Sequence, residues 1–233
     1  MSDWLTYSPS NFLMFSARVY YRLFALYNRE VWPAQLLAIG LGFALLYLLL
    51  RGGDAGRRLV LIVLGALWIW VAWGFLWQHF ATINWPVAYV APVFAIQGLA
   101  LVAIGAVRGG TGGAPAAGRN RADIAALALF AASIVLYPLI APLMGRSLAP
   151  AEIFGLAPDP TALATLAALA TMRRSIRWPL MIVPCLWCAS STMTLGVMGS
   201  ADFFVPLVGA LAAVGIAMAK ASSLRPADRL AGG

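Results

Sequence analysis

Apolar residues recur along this chain in seven long runs separated by short polar stretches. The runs are Trp32–Leu50, Leu59–Trp77, Pro86–Val107, Asp123–Met144, Pro160–Met172, Pro179–Val197 and Phe203–Lys220. Most hold 18–22 residues, enough for a hydrocarbon core of ~30 Å at ~1.5 Å per residue. Backbone N–H and C=O groups in lipid must be paired within the segment, so each run predicts an α-helix. The fifth run is short, and it is expected to extend through Arg173 and Arg174, whose long side chains snorkel to the headgroups. The pattern predicts an all-α fold: an integral membrane bundle of about seven transmembrane helices.

The segment before the first run has a different period. Arg18, Arg22 and Arg29 share one helical face, with aromatic and aliphatic residues opposite. As a span, Phe12–Tyr27 would place two arginines near its centre at roughly 5–7 kcal/mol, against about 3–4 kcal/mol returned by its apolar residues. Residues 1–31 therefore read as an amphipathic helix lying in the membrane interface. An eight-span version with the N-terminus inside is the alternative. Residues 32–220 form the transmembrane domain and residues 221–233 a disordered tail.

Punctuation agrees with these boundaries. Trp32-Pro33, Trp85-Pro86 and Trp178-Pro179 each open a run. Tryptophan suits the headgroup level, and proline suits the first helical turn. Arg108–Arg121, rich in glycine, reads as a flexible loop. No internal repeat of the kind found in inverted-repeat transporters is apparent.

Composition removes the soluble alternatives. Of 233 residues, 62% are hydrophobic and 10% charged, where a soluble domain carries about 25% charged. The net charge of +8 does not point to nucleic acid, because the basic residues sit in short loops and form no basic face. Arg51, Arg57 and Arg58 follow the first run, Arg108, Arg119 and Arg121 the third, and Arg173, Arg174 and Arg177 the fifth. Lys220, Arg225 and Arg229 follow the seventh. Twelve of the sixteen basic residues thus fall on one side, which is expected to be cytoplasmic along with the C-terminus. Seven crossings then put the N-terminus outside, in the periplasm for a bacterial inner membrane. The N-terminal sequence shows no basic stretch followed by an apolar one, so no cleavable signal peptide is expected.

Candidate chemistry is sparse. One histidine, His79, excludes any site needing two His ligands, and no catalytic or nucleotide-binding fingerprint appears. No enzyme activity and no cofactor are expected. The helix interiors hold almost no charge: Asp123, Asp159, Asp202 and Lys220 lie at run ends. Cys185 and Cys188, at i and i+3, share a helix face suited to a soft metal such as Cu(I) or Hg(II), although such a pair is more often small apolar filling. Asp159 and Pro160 are placed as N-cap and N1 of the fifth helix. On that basis Asp159→Asn is expected to cost about 1 kcal/mol. Trp70, Trp73 and Trp77 form a stripe on the second run, and Gln97 and Tyr137 are expected to hydrogen-bond between helices.

Under the expected sidedness, Glu30, His79, Asn84, Asp159 and Asp202 gather on the outer face as a candidate polar site. Trp32 and Trp85 would wall it, and the N-terminal arginines would pair with its carboxylates. The competing reading is that these groups only lock the interfacial helix onto the bundle.

Four stretches carry a resemblance: Leu26-Tyr27-Asn28 running into Val31-Trp32-Pro33-Ala34-Gln35, Ala81 to Trp85, Phe154 to Thr161, and Pro184 to Cys188. With them the chain resembles an uncharacterised family of bacterial multi-pass membrane proteins, catalogued as a domain of unknown function and in places labelled transporter permease. The resemblance implies no catalytic residues. The expected function is a non-enzymatic, permease-like protein for a small neutral or soft-metal solute. The alternative is an accessory or assembly subunit of a larger membrane complex, supported by the aromatic faces and by small residues such as Gly209 and Ala213. The expected partners are the lipid bilayer and either a second copy of the chain or a larger complex.

Overall fold

The computed structural model describes residues 15–51, 53–107 and 119–223, the side chains of residues 174, 222 and 223 apart. Its described residues are helical with no strand. Helix α1 (Ala17–Glu30) is capped by Ser16, whose hydroxyl accepts from the Val19 N–H. It buries Tyr20, Leu23, Phe24 and Tyr27 on one face and leaves Arg18, Arg22 and Arg29 exposed, the amphipathic division the sequence predicts.

Seven helices follow: α2 (Ala34–Arg51), α3 (Gly53–Trp70), α4 (Val87–Ala106), α5 (Arg121–Val135), α6 (Pro158–Ala170), α7 (Arg174–Val197) and α8 (Val205–Ser223). Helix α3 runs on as a π-helical stretch (Val71–Phe80) and a last turn (Ala81–Ile83). Against that stretch lies α1, with Phe24 and Phe75 ring centroids 4.5 Å apart and Tyr20 and Phe80 5.7 Å apart. Helix α5 breaks into a tight turn (Tyr137–Leu139) and a short helix (Ile140–Leu143) at a bend of 45°. Pro138 and Pro142 remove the N–H groups a straight helix would need there.

Among the described residues four helices are long and apolar enough to cross a membrane, and the bent α5 unit, counted as one span, makes a fifth. Large apolar side chains such as Leu37, Tyr89, Ile96 and Met193 face outward from them, as lipid contact requires. The fifth run behaves differently from expectation. Helix α6 stops at Ala170 instead of running through Arg173 and Arg174, and all thirteen of its residues are buried. At ~1.5 Å per residue it is about 20 Å long, shorter than the hydrocarbon core. Its Ala-rich sequence presents small side chains on every face, so α3, α5, α7 and α8 pack around it. Gly209 and Ala213 serve this internal packing: Leu163 of α6 lies over Gly209, and Ala213 is fully buried. Both therefore take part in packing within the chain.

Two further boundaries move. Trp178-Pro179 lies inside α7 instead of opening it, because Arg173 and Arg174 already start that helix. The tail expected from residue 221 begins inside α8, which continues to Ser223. Residues 224–233, and 108–118 of the glycine-rich loop, lie outside the described residues.

The closest helix pairing is α3 on α4. A Cβ at Gly65 would stand 2.5 Å from the Gly98 carbonyl oxygen, and one at Gly98 2.6 Å from that of Gly65. Those atoms are backbone and cannot swing aside. Gly98→Ala is therefore expected to cost about 1–3 kcal/mol, read as a lowered unfolding midpoint in detergent. An unchanged midpoint would contradict this packing.

Candidate functional site

The loops expected on one side of the membrane share one end of the bundle. Arg58 donates to the Gly105 and Ala106 carbonyls at 2.9 Å, and Arg119 to those of Leu49 and Leu50. Lys220 pairs with Asp123 at 2.6 Å and donates to the Thr171 carbonyl at 2.5 Å. The opposite end holds the polar residues of interest.

At that opposite end α6 begins. Ala157, not Asp159, is the N-cap, and Pro158 occupies the first turn. Asp159 is the second residue of the helix, two positions inside the cap, and its carboxylate turns into the bundle. There it is 1% exposed and accepts three hydrogen bonds: from the Trp187 indole at 2.6 Å, the Ser191 hydroxyl at 2.6 Å and the Tyr137 phenol at 3.0 Å. The terminus is closed by Thr161, whose hydroxyl accepts from the Gly155 N–H and donates to the Ala157 carbonyl. Among the described residues no basic group pairs with Asp159, so neutral donors and the positive end of the α6 dipole hold its charge.

Trp187 and Ser191 stand one turn apart on α7 and also line a cleft of about 160 Å³. Tyr20 of α1 and Phe80 of α3 supply its other aromatic surface, Ser190 and Thr194 its remaining hydroxyls, and Asn84 its edge. Asp159 thus lies one hydrogen bond behind the cleft wall. A larger groove of about 370 Å³ between α5 and α8 is lined almost wholly by carbon and lacks convergent polar groups.

A second polar group sits beside the first. Arg146 pairs with Asp202 at 2.5 Å, donates to the Tyr21 phenol at 2.6 Å and stacks 4.1 Å over that ring. Tyr21 also shares a 2.6 Å hydrogen bond with Ser200. Asn28 donates to the Ala149 and Ala151 carbonyls at 2.8 Å, so α1 clasps the loop that leads into α6.

Of the five residues expected to gather, Asn84 lines the cleft, Asp159 stands one hydrogen bond behind its wall and Asp202 joins the adjoining Arg146 group. Glu30 and His79 pair with each other at 3.0 Å, with Glu30 mostly exposed, and touch neither. Asp202 takes Arg146 instead of an α1 arginine, because those arginines occupy the exposed face of α1. Trp32 and Trp85 are outward-facing and do not wall the cleft. Cys188 is buried and Cys185 half-buried, and the described residues hold no group of three or more His, Cys, Asp or Glu able to hold a metal. Gln97 donates to the Leu180 carbonyl at 2.9 Å and Tyr137 to Asp159, the interhelical roles expected of both. Sequence reading missed Glu152, Arg146, Trp187 and Ser191. The spacing of Trp187 and Ser191 at i and i+4, with a polar residue in an apolar helix, was the available signal.

A family model described as a family of unknown function (DUF6064) matches residues 17–225. The chain belongs to the DUF6064 family. No curated protein and no solved structure matches it. The matched stretch starts at α1 and ends just beyond α8, so the DUF6064 unit includes α1, the loop it clasps and the cleft they help to build.

Glu152 lies in that loop. Its Oε2 is sealed from solvent without a hydrogen-bond partner among the described residues. Burial, then repulsion from Asp159 and Asp202, hold its carboxyl well above the ordinary range, with Arg146 opposing. The folded DUF6064 unit therefore binds this proton more tightly than the unfolded chain. The stability it contributes is complete below the ordinary carboxyl range and is lost as pH rises through the folded value. Glu152→Gln is expected to leave the unfolding midpoint near that of the parent at pH 4.5 and to raise it at pH 8. A difference that instead widens on acidification would contradict the assignment.

Proposed function

We propose that this DUF6064 protein is a non-enzymatic, permease-like protein of the bacterial inner membrane that binds a small solute in the cleft beside Asp159. The observation that carries the reading is the pairing of a short, wholly buried helix with a polar cleft at its N-terminal end. Broken or shortened helices whose N-termini point at a cavity are the substrate-site geometry of many membrane transporters. A buried ionisable residue inside a membrane bundle is a functional-site signal in its own right, since it is costly to keep there. In this reading α2 to α8 make seven crossings, α6 being an internal one shielded from lipid, while α1 lies at the outer surface. The soft-metal branch of the expectation receives no support, as no third His, Cys, Asp or Glu among the described residues joins the cysteines.

The test is a thermal-shift screen of the purified protein against small polar solutes of varied charge, paired with native-state purification. A solute-dependent rise in midpoint supports the reading, because a ligand that binds only the folded state stabilises it. A flat screen together with a stable co-purifying protein would favour the alternative, an accessory subunit. That alternative draws on the outward Trp73 and Trp77, which line an apolar groove with Pro92. Sidedness is tested separately. Alkaline phosphatase fused after Gly113 or Leu230 is expected to be inactive, and a fluorescent reporter at the same positions active. Phosphatase activity at either site would reverse the topology.

A further inference from the structure

Resting on the reading of the cleft as a solute site, we infer that its ligand is a small organic cation carrying N–H donors, of the primary ammonium class.

The cleft wall leaves acceptors unsatisfied and spends most of its donors elsewhere. A hydroxyl has one hydrogen to give and two lone pairs to offer. Ser190 gives its hydrogen to the Trp187 carbonyl at 2.8 Å, and Thr194 gives its own to the Ser190 carbonyl at 2.9 Å. Ser191 gives its hydrogen to Asp159 at 2.6 Å. All three hydroxyls therefore face the cleft as acceptors. Trp187 likewise gives its indole N–H to Asp159 and leaves the cleft its ring surface. Tyr20 and Phe80 add further rings. The negative faces of aromatic rings and the lone pairs of donated hydroxyls both attract positive charge. The donors left in the wall are the Asn84 amide and the Tyr20 phenol, each of which also accepts.

The surroundings carry the same sign. Asp159 stands directly behind Ser191 and Trp187 with only neutral partners. The Tyr20 phenol is held protonated first by burial and then by the acidic side chains near it, Glu152, Asp159 and Asp202. The one guanidinium in this group, Arg146, closes on Asp202. An anion entering the cleft would meet acceptors, ring faces and a buried carboxylate. An ammonium group would find two or three acceptors and the field of Asp159. Since a single water needs about 10–15 Å³ of such space, the cleft suits a solute of about ten non-hydrogen atoms or fewer. A neutral solute, as expected from the sequence, would leave the field of Asp159 unanswered.

The experiment uses the full chain in lipid nanodiscs, with n-propylammonium and its neutral isostere 1-propanol as probes, read by tryptophan fluorescence and unfolding midpoint. The expected result is saturable quenching and a raised midpoint with n-propylammonium only. Thr194→Val keeps the shape and removes an acceptor, and it is expected to weaken binding about tenfold with little change in the unliganded midpoint, as loss of one charge-assisted hydrogen bond predicts. Asp159→Asn is expected to weaken it further, and Thr194→Val carries the test if that variant fails to fold. Equal responses to both probes would overturn the cationic class while leaving the cleft a solute site. No response to either probe would also overturn the class, and the broader solute screen then decides whether the cleft reading falls with it. Ammonium binding unaffected by Thr194→Val would place the ligand elsewhere and overturn the inference.

Discussion

Replacing Lys220 with methionine is expected to destabilise the protein by about 3–5 kcal/mol, the usual result of removing one partner from a buried ion pair. The side chains of Lys220 and Asp123 are 8% and 6% exposed, and the Nζ–Oδ1 distance is 2.6 Å. Lys220 also donates to the carbonyl of Thr171, the residue that caps the C-terminal end of α6. Without it the Asp123 carboxylate is stranded in the bundle, and a carbonyl at the negative end of the α6 dipole loses its cation. Asp123→Asn is expected to cost less, because the amide still accepts from Lys220, yet it leaves the cation undercompensated. The double variant Asp123→Leu/Lys220→Met removes both charges and is expected to recover most of the loss, since apolar replacements of both partners are often near neutral. Denaturation of the parent, Asp123→Leu, Lys220→Met and the double variant in mild detergent closes the cycle. A Lys220→Met cost below about 1 kcal/mol would show that the pair is solvated in the native protein.

Asp159→Ala is expected to be comparably damaging, for a different reason. Three donors converge on that carboxylate from Tyr137, Trp187 and Ser191. Each buried donor left without an acceptor costs about 1–3 kcal/mol, so a total of roughly 3–6 kcal/mol is expected, reduced where water enters. Asp159→Asn keeps one acceptor oxygen but turns an NH2 group toward donors, so it is expected to cost more than the ~1 kcal/mol of a weakened cap. Removing the partners one at a time distinguishes this hub from a simple cap. Tyr137→Phe, Ser191→Ala and Asp159→Asn should be non-additive in combination, because they share one carboxylate. Additive effects would mean that Asp159 does not join the three elements.

The two sites stand at opposite ends of α6 and share its logic. The helix is too short and too enclosed to meet lipid, so its terminal charges must be met inside the protein. Asp159 lies at the positive end of its dipole and Lys220 at the negative end. A small-residue helix lets four neighbours approach closely, and that closeness brings Trp187, Ser191 and Tyr137 within reach of one carboxylate.

The sequence by itself determined the helices, the amphipathic face of α1 and the grouping of loops at two ends. These follow from local properties: run length against bilayer thickness, the 3.6-residue period, and the placement of arginines. It also placed Asp159 and Asn84 on one face as candidate polar residues. It could not decide what they meet. Asp159 takes partners 22, 28 and 32 residues away, and Lys220 reaches Asp123 across 97 residues. Nothing in the period of an apolar run encodes which helix faces which. The tertiary structure decided that α6 is central, that Ala157 takes the cap and frees Asp159 to turn inward, and that Trp187 and Ser191 form a cleft wall. The physical reason is that helix formation is set by neighbours along the chain, whereas burial of a charge is set by neighbours in space.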